Sequence, residues 1–340
     1  MSKKDKKLIR YTNREFNSIK EGLVEYTKRY YPDIFKDFSE DVVLADTARA
    51  REIFFHYKPK VLVRKGSEDK LFNLDHCDVV SGDIDQIEAI KKTIAACDAV
   101  IYNIGLIREF PRDGITFKNL HFEGLKKCVD VAKHLNVKRF ILMSANGVKE
   151  DGTAYQSTKY QAEQYLKQSG LDYTIFRPSL IFGRPMMDRQ IEFCTQLKGD
   201  MIDLPFPAPL FHKGVLPFNA GMFEMSPIYV KNVADIFVKS IKMDETIGKS
   251  YCLGGSKPKS WKKIILDISK ASNKKKWMIP APVFAVKSLA SVLERFSWFP
   301  ITSGQIKMLM EGNTTDRSYF DEFSVKEIDF NAENLSYLKK

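Results

Sequence analysis

Two residues with chemical potential, Tyr155 and Lys159, lie four positions apart in the segment TAYQSTKYQAEQYL, residues 153–166. On a helix, positions i and i+4 share one face, so a lysine ammonium can approach the phenol and favour its ionised form. Such a tyrosine can act as a general acid or base. The same spacing also fits an inert face of an amphipathic helix, and a chain with 14 tyrosines makes it a weak motif by itself. The surrounding elements must decide between the two interpretations.

Short apolar segments alternate with helical patterns from Lys60 onward, which is typical of βαβ units around a parallel sheet. The strand candidates are KVLVRK (60–65), CDVVSGDI (77–84), DAVIYNIG (98–105), KRFILMSANG (138–147) and DYTIFRPSLIFG (172–183). The connections between them are long enough for right-handed crossovers. The pattern therefore predicts an α/β fold with a doubly wound parallel sheet of the Rossmann type, and Tyr155 follows directly after its fourth strand candidate.

The pattern divides the chain into three predicted regions. Residues 1–41 are expected to form an atypical helical segment, and residues 42–183 the Rossmann-like nucleotide-binding region. Residues 184–330 are expected to form a substrate-side region, interleaved with the Rossmann core. Within it, residues 184–225 are rich in Pro, Phe and Met without a clear period, which predicts an irregular insertion over a ligand cleft. Mostly helical segments follow that insertion.

The first βα unit departs from the dinucleotide-binding pattern. Val42–Leu44 is its strand candidate, but no glycine occurs between Gly22 and Gly66. A G-x-G-x-x-G turn normally opens such a domain, because only glycine lets the backbone approach the pyrophosphate at a helix N-terminus. The standard phosphate loop is therefore absent, and whether the altered unit still holds a pyrophosphate stays open.

Composition limits the classes of partner. The net charge of +11 favours anionic partners. The basic clusters at 257–263 and 273–277 fit a solvated surface better than a binding site, and no basic-aromatic module predicts nucleic-acid binding. Five scattered cysteines without C-x-x-C spacing, and the lack of a His/Cys cluster, predict reduced thiols in a cytoplasmic protein without a metal site.

The longest apolar stretch lies near the C-terminal end. No run of about 18 apolar residues occurs, so the sequence predicts no transmembrane segment. The stretch PVFAVKSLASVLERFSWF, within 280–310, combines apolar length with basic residues, which is compatible with peripheral contact with a membrane surface. A helix in the core or in a homodimer interface explains this pattern better.

The ordered motifs from Val61 to about Asn313 resemble the short-chain dehydrogenase/reductase superfamily. The matching segments are VLVRKG, SGDI, YNIG, FEGLKKCVDVAKHLNVKRFILMSANG, Y-x-x-x-K, LDYTIFRPSLIFGR, SPIYVKNVAD and YCLGG. They are most similar to the atypical, extended branch related to the nicotinamide-binding accessory subunit of respiratory complex I. The resemblance covers about three quarters of the chain. It implies a nicotinamide nucleotide as cofactor and a small-molecule substrate that the sequence does not identify.

The resemblance implies cofactor contacts for Arg64, Lys65, Asp83, Ile84, Asn103, Gly105, Lys159, Pro178 and Ser179. Arg64 and Lys65 stand where an acidic residue would accept hydrogen bonds from the ribose of NAD, and they suit the 2′-phosphate of NADP. The alternative is that both are ordinary exposed basic residues. We expect NADP(H) rather than NAD(H) as the cofactor.

The remaining predicted cofactor residues would contact the adenine, the ribose and the nicotinamide in turn. Asp83 and Ile84 resemble the pair that contacts adenine, and the turn 103–105 resembles the one over the ribose, where glycine permits close approach. Pro178 and Ser179 would lie beside the nicotinamide.

For the chemistry, the resemblance implies that Tyr155 donates a proton to a substrate carbonyl. Lys159 would hold the ribose hydroxyls and lower the pKa of the tyrosine. The position that usually carries the catalytic serine is Ala145, so Ser144, one residue earlier, is the candidate for that role. His121 replaces the asparagine of the family helix, and it is expected either to relay protons or to be structural.

These departures leave three functions open. The first is an NAD(P)(H)-dependent oxidoreductase that reduces carbonyls. The second is a non-catalytic nucleotide-binding or assembly scaffold. The third follows from residues 10–41, which resemble a baseplate wedge protein of contractile-tailed phages and suggest a phage-derived fusion with a structural role.

Overall fold

The computed structural model describes residues 59–68, 77–185, 192–294 and 302–339. The chain divides into two compact units, residues 1–59 with 73–78 and residues 60–72 with 79–340. The elements that position the site belong to the second unit. The helical segment predicted over 1–41, its phage-like stretch and the strand candidate Val42–Leu44 lie outside the described residues.

The strands are short and follow the predicted order. They are β1 (Lys60–Val63), β2 (Asp78–Ser81), β3 (Ala99–Tyr102), β4 (Arg139–Met143), β5 (Asp172–Pro178), β6 (Ile181–Phe182), β7 (Ala208–His212), β8 (Glu224–Met225), β9 (Ile228–Tyr229), β10 (Lys249–Leu253), β11 (Lys259–Ser260) and β12 (Met278–Pro282).

The α-helices are α1 (Ile87–Ile94), α2 (Gly124–His134), α3 (Ala154–Lys167), α4 (Phe193–Leu197), α5 (Val230–Ser240), α6 (Trp261–Ala271), α7 (Val283–Leu293) and α8 (Ser303–Glu311). A π-helical turn, Lys118–Glu123, leads into α2, and a second one, Lys198–Ile202, continues α4.

The central sheet is parallel, in the order β10-β5-β4-β3, while β1 and β2 pair in a sheet of their own. Side chains alternate along a strand, so β4 supplies two separate cores. Phe140 packs with residues of α1, α2 and α3, whereas Ile141 packs on the other face with Ile236 of α5. Because helices cover both faces, the predicted doubly wound α/β fold is confirmed.

A third core joins the substrate-side elements around Trp261, Phe211 and Phe182. Residues 192–225 are more regular than predicted, since they form α4, the π-turn, β7 and β8. The elements have two to five residues each, which is too short for a periodic pattern to show in the sequence. Helices α6, α7 and α8 form where the sequence predicted mostly helical structure.

Helix α7 contains part of the apolar stretch within 280–310. It buries Ala290, while Phe284 is 59% exposed. Residues 295–301 of the stretch lie outside the described residues, so its contact with a membrane surface, the core or a second copy stays a prediction. Among the described residues, no helix has the length and apolar character needed to cross a membrane.

Candidate functional site

Helix α3 begins at a capping box that fixes Tyr155 in its first turn. The Gln156 N–H donates to the Thr153 hydroxyl (3.4 Å), and the Gln156 side-chain oxygen accepts from the Thr153 N–H (2.8 Å). The Gln156 amide also donates to the carbonyl of Gly147 (2.8 Å) and to Glu311 (2.9 Å). The helix start is thereby tied to the loop after β4 and to the end of α8.

The structure brings Tyr155 and Lys159 together on one face of α3. The Lys159 Nζ lies 5.6 Å from the centroid of the Tyr155 ring and donates to the carbonyl of Met143 (3.3 Å). Burial lowers the pKa of Lys159 to about 8, against the opposing effect of Glu163. At neutral pH, Lys159 is therefore still mostly protonated.

The Tyr155 phenol is half-buried, and burial raises its pKa to about 12. The resemblance implied that Lys159 lowers this pKa; loss of solvent around the phenol acts in the opposite direction, because it disfavours the phenolate. A protonated phenol is suited to donate a proton. Among the described residues, its hydroxyl has no hydrogen-bond partner.

His121 lies beneath the phenol, on the π-helical turn before α2. Its ring stacks on Phe117 (5.2 Å between centroids) and meets Tyr155 edge-on (5.2 Å). The Nε2 atom accepts from the Leu106 N–H (3.2 Å), so the proton of the neutral ring lies on Nδ1, 3.2 Å from the Thr158 hydroxyl oxygen. Burial, followed by the charge of Lys159, lowers the pKa of His121 to about 3. His121 is thus a neutral residue that supports the tyrosine.

Ser144 is directed away from Tyr155. Its side chain is buried, and its hydroxyl donates to Glu163 (2.5 Å), a fully buried carboxylate that also accepts two hydrogen bonds from Arg177. Ala145, rather than Ser144, lines the cavity next to Tyr155. The geometry therefore gives no support to Ser144 as a catalytic residue and makes it a partner of Glu163.

Apart from Lys159 on α3, the predicted cofactor residues lie at or just after the carboxyl ends of β1, β2, β3 and β5. Ligands of open α/β sheets bind at this edge. Arg64 and Lys65 are exposed after β1, and Asp83 is partly exposed after β2, where its carboxylate accepts the N–H of Ile84 (2.7 Å). Ile84 itself is buried in the core rather than presented on an open surface.

The turn after β3 lies against the predicted dyad. Asn103 and Gly105 are exposed, and a Cβ atom at Gly105 would lie 3.6 Å from the Lys159 Nζ and 3.8 Å from the His121 Nε2. A side chain at position 105 would occupy the space over the lysine. Glycine at this position leaves the backbone open above the buried ammonium, and contact with the ribose stays a prediction.

Pro178 and Ser179, at the end of β5, border the cavity beside Tyr155. The Pro178 carbonyl accepts from the Asn146 N–H (3.0 Å), and the Ser179 hydroxyl donates to the carbonyl of Asn313 (2.6 Å). These two bonds join the end of β5 to the loop after β4 and to the segment after α8.

A cavity of about 790 Å³ opens in front of Tyr155. Most of its wall comes from the substrate-side elements, including α4, β7, α6 and α8. The predicted insertion over a ligand cleft contributes Phe193, Met201 and Phe211. The structure thus groups Tyr155, Pro178 and Ser179 around the cavity, with Lys159 and Gly105 behind the phenol.

Comparisons with known proteins agree with this arrangement. A family profile described as NAD(P)H-binding matches residues 44–198. The chain is 23% identical over 226 residues to the NADH-ubiquinone oxidoreductase 40 kDa subunit of Neurospora crassa, covering 66% of this chain and 55% of that protein. It is 22% identical over 290 residues to the photosystem II assembly factor Ycf39 of Trieres chinensis, covering 80% and 81%.

Solved structures share the fold at low identity. A nucleoside-diphosphate-sugar epimerase from Staphylococcus aureus has a TM-score of 0.60 at 17% identity, covering 86% of this chain and 94% of that one. The triphenylmethane reductase of Citrobacter, complexed with NADP(H), has a TM-score of 0.59 at 14% identity, covering 85% and 93%. The chain is thus similar to NAD(P)-binding Rossmann proteins of the atypical short-chain dehydrogenase/reductase kind.

The similarity to NAD(P)H-binding proteins confirms the resemblance drawn from the motifs. The chain spans about half the length of the Neurospora subunit. Its relatives include a respiratory subunit and an assembly factor, so turnover has to be argued from the site. The region that would replace the family's glycine-rich loop, 42–58, lies outside the described residues.

Sequence reasoning missed one residue and one contact that shape this site. Glu163 was not predicted, although its place four residues after Lys159 on the same helix was a signal. The contact between His121 and Tyr155 depends on a π-helical turn, which leaves no recognisable pattern in the sequence.

Proposed function

We propose that this protein reduces a carbonyl group of a small-molecule substrate, with Tyr155 as the proton donor. The observation that carries the proposal is a protonated phenol that has no hydrogen-bond partner among the described residues, faces a large cavity and lies against a buried ammonium. When bound, the nicotinamide nucleotide supplies the hydride. Residues 42–183 would bind the nucleotide, and residues 184–330 would enclose the substrate.

In this proposal Tyr155 gives its proton to the carbonyl oxygen, which gains negative charge as the carbon is reduced. Lys159 then stabilises the phenolate that remains, because its ammonium lies near the ring and its pKa of about 8 keeps it mostly charged at neutral pH. His121 keeps the phenol in place without competing for the proton, since burial lowers its pKa to about 3 and makes the ring a weak base.

NADPH is the proposed cofactor. Arg64 and Lys65 are exposed at the carboxyl end of β1, where a 2′-phosphate would find two positive charges. The turn containing Asn103 and Gly105, together with Lys159, would hold the ribose next to the nicotinamide. Asp83 would accept a hydrogen bond from the adenine amino group.

A thermal-shift titration of the full chain with NADPH and NADH tests the cofactor. A bound nucleotide raises the melting temperature with concentration by mass action. Replacing Arg64 and Lys65 by Ala should weaken the response to NADPH more than the response to NADH. The exposed pair Arg112 and Lys118, changed to Ala in the same way, is the control. No shift at millimolar concentrations of either nucleotide would refute cofactor binding.

The Tyr155→Phe variant tests the chemistry. It should keep its thermal response to NADPH while its turnover of a panel of ketones and aldehydes falls by about 10² to 10⁴. Tyr160→Phe, a half-buried tyrosine on the same helix, is the matched control and should keep its turnover. Turnover that survives in Tyr155→Phe would assign the proton transfer to another group.

A second candidate function is a nucleotide-binding scaffold without turnover. One observation favours it: Ala145 occupies the cavity wall where the family usually has a serine, and the neighbouring Ser144 hydroxyl is bonded to Glu163. This function predicts that NADPH binds to the wild type and to Tyr155→Phe alike, with no reduction of any compound in the panel by either protein.

A further inference from the structure

The cavity in front of Tyr155 has a chemical character that points to the class of its ligand. We propose that the substrate is a bulky, largely apolar carbonyl compound that carries neither a phosphate nor a carboxylate. This inference rests on the proposed reductase function and deepens it. The volume of about 790 Å³ is large for a metabolite of a few carbons and typical of pockets that hold drug-sized molecules.

The wall opposite the phenol is apolar. Its side chains are Phe193, Leu197, Met201, Phe211, Met225, Trp261, Val286, Met308 and Leu309. The Trp261 N–H donates to the carbonyl of Pro209 (2.9 Å), so this indole offers the cavity an apolar ring with no free donor. Flexible methionines beside fixed aromatic rings adapt to ring systems and branched chains of differing shape.

The polar side chains of the wall are mostly bonded to protein partners. Asn146 donates to the carbonyl of Thr314 (2.7 Å) and accepts from the Gly147 N–H (3.1 Å). The amides of Gln156 and Gln305 cap the starts of α3 and α8. Within the described part of the chain, the Tyr155 hydroxyl has no partner, and neither does the buried Oδ1 atom of Asn313, which is an acceptor and cannot donate to a carbonyl. The polar end of the substrate therefore belongs at the phenol.

The charges of the wall disfavour an anionic ligand. Lys149 is the one cationic side chain among the described lining residues, and its ammonium is 2.7 Å from a carboxylate oxygen of Glu311. Asp200 adds a second carboxyl group to the wall. A phosphate or carboxylate inside an apolar cavity needs a countercharge, and among the described lining residues the single cation is already paired with Glu311. A sugar nucleotide is thus excluded from the proposed class.

Matched ligands test the proposal by binding, without reference to turnover. We expect 9-fluorenone to bind to the full-length Tyr155→Phe protein in the presence of NADPH, as measured by calorimetry. Its carboxylated analogue, 9-fluorenone-2-carboxylate, and UDP-glucose should bind at least roughly tenfold more weakly. Equal affinity for the neutral ketone and the carboxylate, or tighter binding of UDP-glucose, would overturn the proposal.

Charges placed in the wall provide the second test. Met308→Glu should weaken fluorenone binding roughly tenfold. Met308→Lys should reduce the difference in affinity between the neutral ketone and its carboxylated analogue. Met222→Glu, at a methionine that is 57% exposed and outside the cavity lining, is the control and should change neither affinity. Fluorenone affinity that is unchanged in Met308→Glu would place the ligand elsewhere and overturn the proposal.

The two proposals fail in different ways. Fluorenone that binds with the expected selectivity but is not reduced by the wild type would refute the reductase and leave the ligand class standing. Reduction that is restricted to small or anionic carbonyls and is lost in Tyr155→Phe would support the reductase and refute the proposed ligand class.

Discussion

Two arginines at opposite ends of neighbouring strands have contrasting surroundings. Arg139 begins β4 and donates to four neutral oxygens, the carbonyls of Asp172 (2.9 Å) and Ser240 (2.6 Å) and the hydroxyls of Thr174 and Thr246 (both 2.8 Å). Arg177, near the end of β5, instead donates to the carboxylate of Glu163. The first arginine lies in a neutral cage and the second in a buried ion pair.

The difference follows the direction of the sheet. The amino ends of the strands carry no predicted site residue, and the cage around Arg139 joins β4, β5, α5 and the turn Asp244–Thr246. At the carboxyl ends, Glu163 links Arg177 to Ser144 and influences the charge of Lys159, one turn away. A buried carboxylate thus lies at the end of the sheet where ligands of such sheets bind, whereas neutral oxygens hold the buried guanidinium at the opposite end.

The largest expected effect comes from breaking the ion pair. Glu163→Gln leaves the Arg177 guanidinium without its buried countercharge, which should lower the free energy of unfolding by about 3–5 kcal/mol. The same change should lower the pKa of Lys159 further, because Glu163 raises it in the wild type. Urea denaturation measures the first effect, and the pH dependence of turnover measures the second.

Glu88→Gln is the matched control for this prediction. Glu88 also pairs with a lysine, Lys91 (2.7 Å), but its side chain is 71% exposed, so its loss should not measurably change stability. If Glu163→Gln were as stable as Glu88→Gln, the buried ion pair would contribute nothing to stability. The contrast between the amino and carboxyl ends of the sheet would then fail.

The neutral cage should respond differently. Arg139→Leu leaves four buried oxygens without their donor and should lower the free energy of unfolding by about 3 kcal/mol, with no change in turnover per folded molecule or in its pH dependence. Arg112→Leu, at an exposed position, is the control. A shifted pH profile in Arg139→Leu would show that this end of the sheet also influences the site.

These contrasts also separate what the sequence could predict from what it could not. The apolar runs placed the central strands, because buried parallel strands need continuous apolar sequence. The run 172–183 was predicted as one strand, but it divides into β5 and β6 after Pro178. Proline has no N–H to continue the ladder, and Ile181 pairs with β9 instead.

In the site, local spacing was enough for Tyr155 and Lys159, which share one helix. It was not enough for Glu163, whose role depends on Arg177 of another element, nor for Ser144, whose hydroxyl turns to that carboxylate. Interactions between distant parts of the chain have no periodic signature, so only the folded structure assigns them.

The next prediction concerns pH and Lys159. Its pKa is about 8 in the folded protein and 10.5 as the ordinary value, so between these values the unfolded chain binds more protons and stability rises with pH. Lys159→Met should therefore be more stable than the wild type at pH 7, and its advantage should shrink by about 2–3 kcal/mol at pH 10.5. Urea denaturation at both values measures this, and a constant advantage would contradict it. Arg139 contrasts with Lys159, because a guanidinium keeps its charge throughout this pH range.

The smallest effect should come from removing single hydroxyls at the two ends. Ser144→Ala deletes one hydrogen bond to Glu163, whereas Thr174→Val deletes the bond from Arg139 and the bond to the Thr246 carbonyl, so the free energy of unfolding should fall by about 1 and about 2 kcal/mol respectively. Turnover should stay within about threefold of the wild type in both variants, because neither hydroxyl faces the cavity. A loss of turnover of about 10² or more that is confined to Ser144→Ala would support the catalytic role that the sequence predicted for Ser144. Glu163 would then have to release the Ser144 hydroxyl during the reaction.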